Sequence, residues 1–286
     1  MRNHKDTKQA TLAISQRITV RQMDSEFTTD IPKYWANNNP YLTSLLAAFS
    51  VGFPSGERFF IDSVRYYQSQ IHDPILKDEI KGFIGQEAQH TKEHITFNNF
   101  LEKHGYPANQ HAESAKRLIT RLQKKSSPAR NLARTAALEH FTAIICSSIL
   151  ENSELLESTH PLVAKLWAWH AIEEVEHRTV AFDVYKKTVN NEAIRIIEMV
   201  LVTIGFIFNI SIRSTRMHIA AGGKLDIKQF AKALNTLWGR PGIFRKVIPQ
   251  YFSYYKKGFH PSQHENSMYL EKAKTYWLFE SNSLRS

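Results

Sequence analysis

Glu57, Glu87-x-x-His90, Glu139 and Glu174-x-x-His177 follow one another along the chain, one element on each of four long helical stretches. In Glu-x-x-His the two side chains stand three positions apart and so share one helix face. The neighbours on those faces are apolar: Phe59, Phe60, Phe83, Ile84, Leu138, Phe141 and Val180. Four carboxylates turned into an apolar interior are prohibitively costly unless a cation meets them. The pattern therefore demands helices packed side by side around positive charge. A single Glu-x-x-His pair carries little weight in a chain with 13 His, and Glu157-Ser158-Thr159-His160 is read as a chance match. It sits at a helix break before Pro161, where no helical face exists. The joint order is specific, with 30 residues from Glu57 to Glu87 and 35 from Glu139 to Glu174, as in a duplicated helix pair.

Helical periodicity dominates the rest of the sequence, and no strand pattern competes with it. The 11 Gly and 10 Pro among 286 residues are too few for a turn-rich β fold. Residues 1–40 are polar and interrupted by Pro32 and Pro40, and are read as an irregular arm. A first helix is expected over about 41–70, interrupted or restarted near Pro54-Ser55-Gly56. A second opens at Asp73-Pro74 and ends near Gly105. A shorter one covers about 110–123, a third long helix 129–150, and a fourth runs from Pro161 to about Asn190. An apolar helix, 192–220, stops at Gly222-Gly223, and two more follow near 226–238 and 241–257. The expectation is an all-α fold: a four-helix bundle over 41–190, apolar and basic C-terminal helices over 191–258, and a tail over 259–286. One Glu from each of two helices and Glu-x-x-His from the other two is the ligand arrangement of ferritin-like di-iron and di-manganese bundles. Such a donor set suits Fe or Mn, with Zn as a further candidate.

Two more histidines fall on the same faces. His170 lies four positions before Glu174 and is read as a seventh ligand. His94 lies four positions after His90 and is read either as a ligand or as a hydrogen-bond partner of one. Glu173 is a candidate orienting partner, whereas Glu93, Glu176 and His140 point away and are read as solvent or helix contacts. His90-Thr91-Lys92-Glu93-His94 also matches the H-x-x-E-H zinc-peptidase motif. That reading leaves Glu57, Glu87, Glu139 and His177 unexplained.

Over about residues 40–257 the sequence resembles the bacterial ferritin-like proteins described as predicted metal-dependent hydrolases. The likeness rests on Gly56-Glu57-Arg58-Phe59-Phe60, Gln86-Glu87-Ala88-Gln89-His90, Leu138-Glu139-His140 and the run from Trp169 to His177. The spacing His170, Glu174, His177 is also similar to that of di-iron p-aminobenzoate N-oxygenases, in which a third His joins the usual set. That resemblance implies two metal ions held by Glu57, Glu87, His90, Glu139, His170, Glu174 and His177. His94 departs from it.

The favoured function from these features is an O2-activating di-iron oxygenase or oxidase acting on a small organic or acyl substrate. The alternative is a metal-dependent hydrolase using a two-metal-activated water. A non-enzymatic iron-storage or structural role is a third class. With one cysteine, Cys146, and no Gly-rich nucleotide loop, an oxidase would draw electrons from a donor protein or from its substrate. The net charge is +10, and residues 213–257 hold ten Lys/Arg against one acid, Asp226. That asymmetry favours anionic partners: a peripheral membrane contact or an acyl substrate. No nucleic-acid-binding motif accompanies it. A homodimer is a further expectation. No secretory signal is read at the N-terminus, so the expected location is cytoplasmic, with membrane association. The 14-residue apolar run Met199–Ile212 is about 21 Å long as a helix, short of a bilayer core of about 30 Å.

Overall fold

The computed structural model describes residues 18–264 and 267–280. Among them it is all-α, and the one β-like feature is an isolated bridge between Ala36 and Thr159. Residues 18–39 carry no helix, yet Ile31 and Trp35 are buried in the core. Helix α1, Pro40–Ser50, is capped by Asn39, whose side chain accepts from the Tyr41 and Leu42 amides. After a break at Val51-Gly52, α2 runs Phe53–Tyr67. Helix α3, Pro74–Lys103, is capped by Asp73. Helix α4 spans Ala108–Lys125, and α5, Pro128–Glu151, is capped by Ser127. One turn, α6 (Glu154–Glu157), leads to α7, Pro161–His177, then α8, Val180–Thr188. Proline at the first helical position opens α1, α3, α5 and α7, where its missing N–H is unneeded. The C-terminal part holds α9 (Glu192–Ala220), α10 (Ile227–Trp238), α11 (Ile243–Ser253) and α12 (Ser267–Lys274).

Helices α2, α3, α7 and α5 close a ring: α2 packs on α3, α3 on α7, α7 on α5, and α5 on α2. Each contributes one element of the Glu/His pattern. The apolar core divides into two clusters along this bundle. One holds Phe83 of α3, Ala133 of α5 and Val180 of α8. The other holds Phe97 of α3, Ile144 of α5 and Val163 of α7. The polar site occupies the middle, insulated from water at both ends.

The first helix is interrupted as expected, at Val51-Gly52, and divides into α1 and α2. Other local expectations are corrected. The fourth helix ends at His177, with a turn at Arg178-Thr179 before α8. Within the expected tail, Ser267–Lys274 form α12, whose Lys274 pairs with Glu176 at 2.9 Å, while 281–286 lie outside the described residues. Glu93 and His140 are buried rather than solvent-facing. The Ser25 amide donates to Glu93 Oε2 at 3.0 Å. His140 Nε2 meets the Gln250 carbonyl at 3.1 Å, with the ring against Tyr254 and Phe259. Segments outside the bundle cover these faces.

Candidate metal centre

Glu57, Glu87, His90, Glu139, His170, Glu174 and His177 are each at most 2% exposed and converge in the middle of the bundle. Three triplets bring their donor atoms together: Glu57 with His90 and His170, Glu87 with His90 and Glu174, and Glu87 with Glu139 and His177. His177 Nε2 lies 3.1 Å from Glu87 Oε1 and 3.2 Å from Glu139 Oε2. Glu174 Oε1 lies 3.4 Å from His170 Nε2, 3.6 Å from His90 Nδ1 and 3.7 Å from His177 Nε2. Neighbouring ligands bound at about 2.1 Å to one ion stand about 3 Å apart, so this is the spacing of a coordination shell. Glu87 and Glu174 lie between the two groups of donors.

The donors also lack other partners. Both oxygens of Glu87 and of Glu139, one oxygen each of Glu57 and Glu174, His90 Nδ1 and His177 Nε2 are buried without a hydrogen bond. Buried polar atoms are almost always satisfied, so their concentration at one point fits residues that would hold cations. Burial and the Glu87 charge hold the Glu57 carboxyl well above the usual carboxylate range. Burial and Glu139 do the same for Glu174. Burial pushes Glu139 up to about 7 against the opposing pull of His177. Burial acts to neutralise His177, but Glu139 and Glu87 raise its pKa well above the usual value. Burial pushes His90, His94 and His170 well below theirs, helped by His177 at His90, by His170 and His90 at His94, and by His90 and His177 at His170. Two divalent cations would neutralise the four carboxylates.

Around the donors runs a polar network that fixes ring orientation. His177 donates from Nδ1 to Gln86 Oε1 at 2.8 Å, which leaves Nε2 facing the centre. Gln86 Nε2 donates to Glu176 Oε2 at 2.9 Å, and Arg21 bridges Glu176 and Glu173 at 2.7 and 3.0 Å. Glu173 Oε2 lies 3.2 Å from His90 Nε2, on the side away from the centre. Arginine, glutamine and the Glu176 carboxylate thus hold His177 from behind, while Glu173 Oε2 faces His90 Nε2 without a hydrogen bond. The sequence reading identified Glu173 but placed Glu176 outside this role. It missed Arg21 and Gln86. Thr91, also missed, donates to Glu57 Oε2 at 2.8 Å.

The chain of hydrogen bonds at His94 has one consistent direction. Ser50 Oγ donates to Asn98 Oδ1 at 2.8 Å, so its oxygen is free to accept from His94 Nδ1 at 2.9 Å. His94 Nε2 is then an acceptor and receives His170 Nδ1–H at 3.0 Å. His170 Nε2 is left with its lone pair directed at the carboxylates. His94 therefore positions His170, and this arrangement does not make it a ligand. Glu93 faces Ser25 instead of His90 and His94, so the H-x-x-E-H peptidase geometry is absent. Replacing His94 with Ala frees the His170 ring, and metal affinity is expected to fall about 10- to 100-fold with the fold intact. Equilibrium dialysis checks this; an unchanged affinity would remove His94 from the centre.

A family model described as predicted metal-dependent hydrolase matches residues 19–265, which spans every residue of the Glu/His pattern. The chain belongs to the predicted metal-dependent hydrolase family. No curated protein and no solved structure gives a match. In this chain of the predicted metal-dependent hydrolase family, buried Glu/His clusters that could hold metal ions lie inside a helical bundle.

Proposed function

We propose that the four glutamates and three histidines hold two metal ions and that the centre hydrolyses an ester or amide of an apolar, anionic substrate. The observation that carries this reading is the set of buried carboxylate and imidazole atoms left without hydrogen bonds at ligand-to-ligand distances. Two cations held there supply Lewis-acid polarisation and activation of water. Membership in a family described as metal-dependent hydrolases supports hydrolysis over oxidation.

The chain's own residues define how a substrate reaches the centre. A cavity of about 550 Å³ is lined at its inner end by Gly56, Glu57, Thr142 and Glu174. Phe49, Phe53 and Phe206 form apolar walls, while Asn209 and Arg213 also line it. Substrate therefore meets the Glu57 and Glu174 side. Apart from a long 3.4 Å contact to the Ala48 carbonyl, Arg213 has no partner among the described residues, and it is suited to an anionic group. The apolar walls exclude bulk water from the reacting group. Burial pushes the Glu57 and Glu174 carboxyls toward their protonated forms, so binding of cations would be coupled to proton release.

A second reading, O2 activation by two Fe ions, is favoured by the donor set itself: four carboxylates and three imidazoles with no thiolate suit iron or manganese. One experiment separates the two. Protein loaded in turn with Zn, Mn or Fe(II) is assayed on p-nitrophenyl acyl esters with and without O2, beside an oxygen electrode. About two ions per chain are expected, with ester cleavage supported by Zn or Mn and indifferent to O2. Iron-dependent O2 uptake without ester cleavage would turn the assignment to the oxidase. Failure to retain any metal would overturn both.

A further inference from the structure

A cleft of about 820 Å³ lies outside the metal centre, between α9, α10, α11 and the bundle. Ile207, Leu225, Phe230, Trp238 and Ile248 line it and are nonetheless 40–85% exposed. On α9, Ile197, Ile204 and Phe208 extend the apolar surface at helical spacing, exposed by 52%, 63% and 65%. Soluble chains rarely leave so much contiguous apolar surface in water without a use for it.

Lysine and arginine accompany this face. Lys224, Lys228, Lys232, Arg240, Arg245 and Lys246 are all exposed. Asp226 is the one acid in residues 213–257, and none of the ten Lys/Arg there joins an ion pair among the described residues. An apolar face beside unpaired cations is the composition of an interfacial helix on anionic lipid. A second copy docked on the same face would bring two strongly positive stretches together with little acid between them.

Helix α9 is long and apolar enough to cross a bilayer by length and composition. Its connections argue for lying along the surface. Near its start, buried Arg195 bonds the Tyr254 carbonyl, and Glu198 pairs with Arg130 and Arg134 of α5. Near its end, buried Met217 belongs to the core. α9 also packs along α1 and α5.

We propose that the face formed by α9, α10 and α11 docks peripherally on a bilayer that carries anionic lipid. The inference stands independently of the metal assignment. The cleft and the cavity at the metal centre share Phe49, Phe206 and Ile210 as lining, so an apolar molecule leaving the bilayer would find a continuous route inward.

The test uses the full chain and sedimentation with two vesicle types, phosphatidylcholine alone and phosphatidylcholine with about one-third phosphatidylglycerol. The expected result is at least tenfold more binding to the anionic vesicles, weakening as salt rises. Leu225→Asp paired with Trp238→Asp, and separately Lys228→Glu paired with Lys232→Glu, should each reduce binding about tenfold or more. All four positions are exposed, so circular dichroism and metal content should remain those of the parent protein. Equal sedimentation with both vesicle types, or no sedimentation, would overturn the proposal. So would a dimer in solution that the Leu225→Asp, Trp238→Asp pair dissociates while vesicle binding stays absent, since the face would then join two copies.

Discussion

Raising the pH of the metal-free protein from about 6.5 to about 8 is expected to lower its melting temperature by several degrees, while the metal-loaded protein holds steady. The carboxyl of Glu139 sits at about 7 in the fold, above its unfolded value. A group raised by folding contributes stability at low pH and loses it as pH rises through the folded value. Over this window Glu139 alone accounts for about 1 kcal/mol. Glu57 and Glu174, raised further by burial, continue the loss upward in pH. His177, also raised, acts in the same direction. His90, His94 and His170 are depressed, so each regains a few tenths of a kcal/mol as pH rises from about 6.5 to about 8 and offsets part of this loss. The net fall comes from the carboxylates and His177, whose combined loss is the larger. Bound cations replace the protons and remove the trend. Differential scanning calorimetry with and without chelator measures both curves. Parallel curves would mean that the carboxylates carry no metal.

The second large effect concerns stoichiometry. Glu87 belongs to triplets on both sides of the centre, and Glu174 Oε1 faces three imidazoles. Glu57 and Glu139 each belong to one side. Glu174→Gln is accordingly expected to weaken both ions and cut turnover at least about 1000-fold, whereas Glu139→Gln costs chiefly one ion. The same Glu174→Gln change removes a carboxyl whose ionisation burial opposes, so the metal-free variant should melt higher than the metal-free parent at pH 8. Metal analysis and calorimetry on one preparation give both numbers. Two ions retained by Glu174→Gln would refute its bridging position. Lost function with gained stability is the signature of a residue kept for its ligand.

How much of this was legible in the sequence depends on how local each interaction is. The Glu-x-x-His pairs and His170 were readable because spacing on one helix fixes a shared face. The role of His94 was not, because its partners Ser50 and His170 lie on other helices, 44 and 76 positions away. Arg21 carried no signal: it lies in a stretch without periodicity, 155 positions from Glu176. Glu93 and His140 were read as solvent or helix contacts because the helical wheel presumes one buried face. In the fold, Ser25 covers the back of α3 and residues 250–264 cover the back of α5. The chain break after His177 was equally hidden, since Arg178-Thr179 contains neither Gly nor Pro.

Glu176 has a consequence for how the protein is made. Its carboxylate receives Arg21, Gln86 and Lys274, which come from the start, the middle and the end of the described chain. On the ribosome Arg21 emerges early and waits for both the Glu-x-x-His helices and, last, Lys274. The surround that orients His177 is therefore complete only after residue 274 has been synthesised. Nascent chains hold the glutamates and histidines before they hold the frame that aims them.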